Sequence, residues 1–274
     1  MGGPVGAVVL LAVLGSSFFY LQKAEAVSRY TSGRFHLTRG DVSTGTAQLR
    51  RAIKDGADII DLEDAYVRLV MADIRNPDAL DPDLRRAREL FPDNMHFVIA
   101  SLVLDSLGPD PQRRHEAQSR LAELKFQDTG NTYWTAQLYD NAGAGFYDRE
   151  KWDRAIEAYR SALQYDSARI DTRVRLGWVL VMTDRFAQAI AECETVLQQV
   201  PHSAAHFNLG LAHMLRGDSG DSRAAYAAAM ERHGRDEAER LGVLHRLQRL
   251  VTLDIRAAEA RGMMNTYWPE NAGF

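Results

Sequence analysis

Apolar and polar residues alternate in three regimes along the chain. From residue 4 to residue 21 no charge occurs, residues 8–14 are continuously apolar, and Phe18, Phe19, Tyr20 and Leu21 close the run ahead of Gln22 and Lys23. That length is at the short end of what spans a bilayer as a helix, and rings beside polar residues favour the interfacial layer. Residues 1–23 are therefore expected to form a single N-terminal transmembrane helix or signal segment. Residues 24–130 then show short apolar-periodic segments in pairs. The first pair covers about 27–59, the second 61–74 with 81–91 ahead of Pro92, and the third 94–106 with 113–126 across Gly108-Pro109-Asp110-Pro111. Consecutive helices with short links stack as antiparallel pairs. After the break at Asp128-Thr129-Gly130-Asn131 the third regime begins, in which the pattern becomes strictly periodic.

In residues 131–235, glycines preceded by Ala or Leu fall at Gly143, Gly177 and Gly210, 34 and 33 residues apart. Twelve residues after each comes a small side chain, Ala155, Ala189 and Ser222, and four further on a core-sized one, Tyr159, Cys193 and Tyr226. Ala162, Val196 and Ala229 follow three residues later, and Asp166-Ser167 and Val200-Pro201 end the first two units. Small residues at such offsets let the two helices of a hairpin approach closely. The same offsets recur at Gly33, Gly45, Leu49 and Ala52.

Lys151-Trp152-Asp153-Arg154-Ala155 with Tyr159, Leu176-Gly177 with Asp184-Arg185-Phe186 and Ala189, and Leu209-Gly210 with Arg216-Gly217-Asp218 and Tyr226 resemble the tetratricopeptide repeat. Ser222 departs from the alanine that family prefers, and the first and third units lack its closing proline. The resemblance implies an all-α solenoid of helical hairpins, with residues 236–274 as a capping helix and a loosely held tail. It also implies that the first helix of each hairpin lines a concave groove, through positions three before and one, four and five after the glycine. Those positions are Val174, Trp178, Val181 and Met182 in one unit, and Phe207, Leu211, Met214 and Leu215 in the next. The unit before them offers Asp140, Ala144, Tyr147 and Asp148. Family members that grip a C-terminal carboxylate carry lysine and asparagine where this chain has Val174 and Trp178, or Phe207 and Leu211, so that mode is not expected here. The expected partner is a protein or peptide with an apolar face. The alternative is that a capping helix, or the tail with Tyr267 and Trp268, buries these side chains internally.

Charge and chemistry narrow the function. A net charge of -4 gives no general attraction to nucleic acid. The one cysteine, Cys193, excludes an internal disulfide, and its repeat position marks it as a core thiol. No phosphate loop, His-Glu-x-x-His or Gly-x-Ser-x-Gly motif occurs, and His202, His206 and His213 read as packing residues, so no catalytic residue, metal or cofactor is expected. Lys23, Arg29, Arg34 and Arg39 follow the apolar segment, which by the positive-inside bias puts the repeats in the cytoplasm. Cleavage after Ala24-Glu25-Ala26 would instead export them. The combined expectation is a single-pass membrane scaffold, with contact to the bilayer through residues 4–21, that organises a membrane complex. The alternative is an integral accessory subunit of such a complex.

Overall fold

The computed structural model describes residues 4–125 and 129–271; the side chains of 4–18, 77–80 and 129 lie outside that description. Among the described residues the regular structure is helical throughout, with fourteen α-helices, one 3₁₀ turn and no strand. The chain divides into two compact units, Met1–Gly145 and Phe146–Phe274.

In the first unit, α1 (Pro4–Thr38) lies against α2 (Val42–Gly56), α3 (Leu62–Asp73) against α4 (Pro77–Leu90), and α5 (Met95–Ser106) against α6 (Pro111–Lys125). α1 also meets α3, and α3 meets α5, so first helices form one layer and second helices the other. α7 (Thr129–Asp148) extends that first layer: Asn141 Nδ2 donates to the Met71 carbonyl at 2.8 Å, and Trp134 meets His96 at a tilt with ring centres 4.2 Å apart. Side-chain caps fix the helix starts. Asp41, Asp61 and Asn94 accept from the backbone N–H groups of Thr44, Asp64 and His96, satisfying donors that a helix N-terminus leaves open.

The glycine phase has a direct physical cause. A Cβ on Gly33 would lie 2.9 Å from Leu49, one on Gly177 3.3 Å from Cys193 Sγ, and one on Gly210 2.8 Å from the Tyr226 ring. In all three the partner is the residue sixteen positions on, so residues 27–59 keep the register of the later repeats. Gly145 is tighter still, since a Cβ there would overlap the backbone of Arg75.

In the second unit the last turn of α7 and α8 (Trp152–Tyr165) precede α9 (Ile170–Met182), α10 (Phe186–Leu197), α11 (Ser203–Arg216) and α12 (Ser219–Arg240). α9 and α11 touch directly, which is the layer contact of stacked hairpins. Ser222 explains its departure from alanine: it is buried, and its hydroxyl donates 3.0 Å to the Gly210 carbonyl. Two further helices follow, α13 (Val243–Thr252) and α14 (Ala257–Tyr267). The C-terminal end of this segment, expected as a loosely held tail, is packed as far as residue 268. Trp268 is completely buried, in one cluster with Phe207, Met214, Tyr226, Val243, Leu247 and Met264.

The structure does not show the expected transmembrane helix. Among the described residues no helix is long and apolar enough to cross a membrane. Instead, residues on either side of the expected boundary at 23 belong to one helix, α1, whose later part is built into the first hairpin. There Ala26 is fully buried, and Lys23 and Arg29 pair with Asp58 and Asp55 on and after α2. The side chains of residues 4–18, on which much of the expected apolar span falls, lie outside the described residues.

Candidate functional site on the inner face of the second unit

α9 carries Val174, Trp178 and Met182 at intervals of four, which places them on one helix face. Met182 is exposed at 46%, while Val174 and Trp178 are half-buried. Val181, one step round the helix, is buried. On α11 the outcome differs, because Phe207, Leu211 and Met214 are all buried and only Leu215 is half-open. Phe207 and Met214 belong to the cluster completed by α13 and α14, so they supply core to the cap and are closed to an outside partner. For this helix the alternative of internal burial applies.

Trp178 is the centre of what stays accessible. Its indole N–H donates to Tyr147 Oη at 2.9 Å, and the Arg246 guanidinium of α13 lies over its ring, 4.8 Å from the centre. Tyr147 in turn meets Trp152 edge-on, with ring centres 5.3 Å apart. Arg246 donates to the Leu241 carbonyl at 2.8 Å, and no carboxylate pairs with it among the described residues. Burial holds it below its ordinary pKa. A cation on an indole face gains more when desolvated, so Arg246 both shields Trp178 and presents a charge beside the apolar strip. Arg246 was missing from the sequence-derived set because α13 follows the last clear repeat; the only hint was the Leu241-Gly242 pair ahead of it.

Outside this face, His206 meets His233 of α12. His213 faces Asp218 and Asp221, three ligand atoms within 4.8 Å of one another, but Arg216 already holds Asp218 through its guanidinium. Cys193 is buried, and desolvation pushes its thiol pKa up to about 12, the condition of an inert core thiol.

The fold defines a class: an all-helical protein of stacked hairpins. Within it, residues 146–212 match the tetratricopeptide repeat family model. No curated protein matches the chain. Among solved structures, the chain is similar to MamA at 17% identity over 78% of this chain and 92% of that one, with a TM-score of 0.45. PilF of Pseudomonas aeruginosa is 16% identical over 81% and 98%, with a TM-score of 0.39. A tetratricopeptide repeat protein from Parabacteroides merdae is 11% identical over 92% and 94%, with a TM-score of 0.46.

Proposed function

We propose that this chain is a non-catalytic scaffold that binds a protein or peptide partner through the inner face of its second unit, and so helps to assemble a multiprotein complex. Val174, Trp178, Met182 and Leu215 form the accessible apolar part of that face, with Tyr147 and Arg246 at its polar edge. The observation that carries the reading is Met182, a large apolar side chain left exposed one turn beyond Trp178 in the stretch that matches the repeat family. Apolar surface next to an aromatic and an arginine is the composition of an interface anchor. Phe207, Leu211 and Met214 are not part of the contact. The reading does not depend on residues 4–21.

The test is affinity capture from the native extract with the intact chain as bait, compared with a Trp178→Asp, Met182→Asp double variant. A partner recovered at fixed stoichiometry by the wild type is expected to be lost from the variant, a loss of at least about 2 kcal/mol if Trp178 is a contact of the usual weight. Retention of that partner, with helical circular dichroism unchanged, overturns the assignment.

A further inference from the structure

α12 does not end as a single helix. Inside it Gly234 takes φ 78° and ψ 173°, a break that turns residues 235–240 away from the preceding axis. The residue just before the break is His233, whose Nε2 lies 3.0 Å from Nδ1 of His206 on α11, with ring centres 5.0 Å apart. His206 Nδ1 is also 3.2 Å from the carbonyl oxygen of His202. A carbonyl only accepts. The set is therefore fully satisfied when His206 is neutral and carries its proton on Nδ1, donating to both the His202 carbonyl and an unprotonated His233 Nε2.

A proton on His233 Nε2 sets N–H against N–H, unless His206 gives up its own Nδ1 proton and leaves the His202 carbonyl facing a lone pair. Two protons place two cations in contact. The surroundings do not offset this. His202 and Arg232 add positive charge on the same side; Glu237 and Asp171 are the negative groups in reach. Glu237 is already engaged by Arg240 and by the Ser203 hydroxyl, which hold its pKa down to about 2, and Asp171 sits 3.7 Å from His202. Burial also keeps both His206 and His233 below the ordinary imidazole value.

Beyond Gly234 the chain anchors the cap. Glu239 accepts from Trp268 Nε1 at 2.8 Å, Arg235 pairs with Glu239 and Glu270, and Glu237 reaches back to Ser203 beside His202. The segment that holds Trp268 in place is thus tied down next to the histidine pair. We propose that His206 and His233 form an acid-sensitive latch at the Gly234 joint, which keeps α13 and α14 closed over the inner face and releases them on protonation. The closed form holds both imidazoles neutral, and the opened form takes up protons first. The cap is therefore fully stable above the ordinary histidine value of about 6.5 and loses stability as pH falls through it.

The experiment follows the indole N–H signals of the full chain by NMR from pH 8 to pH 5.5, with each of its four tryptophans assigned by substitution to phenylalanine. Trp178 and Trp268 are expected to shift together with the His206 and His233 ring protons. The protection of amides in residues 257–267, the intrinsic exchange rate at each pH divided by the observed one, is expected to fall roughly tenfold for each unit by which the pair is depressed. Trp134, beside His96 in the first unit, is expected to follow His96 alone and to behave identically in the wild type and in His233→Gln. In His233→Gln, which keeps one hydrogen bond and cannot take a proton, the two indoles are expected not to titrate. His206→Asn makes the same test should His233→Gln not fold. Flat Trp178 and Trp268 signals in the wild type, unchanged titration in the variant, or all four indoles moving as one overturns the latch.

Discussion

Single side chains in this molecule are constrained most where two helices nearly touch. Gly145 faces the backbone of Arg75, which cannot move aside as a side-chain tip can, so Gly145→Ala is expected to lower stability by about 3 kcal/mol in urea denaturation. Gly177→Ala meets only Cys193 Sγ at 3.3 Å, and the gain in helix propensity of about 1 kcal/mol is expected to leave it near wild type. Equal losses at the two positions would refute this ranking. Cys193 gives a second prediction at this scale. With its thiol sealed and its pKa raised, it is expected to resist maleimide at pH 8 in the native chain and to react fully in denaturant. Labelling of the native chain at the rate of a free thiol would show that α10 opens. The +12 and +16 offsets that place Ser222 and Cys193 were legible because spacing alone defines them. The backbone contact of Gly145 was not, since its partner is seventy residues away and on no motif.

Among the elements, the cap is where sequence and structure part. Helix pairs in both units follow the apolar period, and α3, α5 and α6 lie within a few residues of where that period put them. The groove offsets were counted from the repeat glycines alone and carried no information on what covers α11, where Phe207, Leu211 and Met214 are buried. α13 and α14 hold no repeat motif, and their contacts with Phe207 and Met214 are set by tertiary packing alone. His206 was visible as a packing residue, yet its partner His233 is on another helix, where no spacing rule joins them. Trp268 now organises the cluster, so Trp268→Ala is expected to cost about 3–5 kcal/mol. It should also expose Phe207 and Met214, measured as dye binding by apolar surface together with faster hydrogen exchange in α14. A variant that binds no dye and keeps native exchange would mean the cap is held by other contacts.

At the scale of the whole chain, the two compact units meet in sequence within α7, between Gly145 and Phe146. Stacked hairpins draw stability from their neighbours, and long arrays lose all-or-none behaviour. Trp268→Ala is accordingly expected to lower the unfolding midpoint reported by amides of α9 to α14 while leaving those of α2 to α5 unmoved. Hydrogen exchange resolved by peptide checks this, and an equal drop in both sets would make the chain a single cooperative block. Trp268 has a last consequence. An unfinished hairpin stack offers its terminal greasy surface to any further hairpin, including one from a neighbouring copy. Here the chain's own indole and the methionines of α14 already pack against α11 and α12, so a hairpin from a neighbouring copy would have to displace them to bind those side chains.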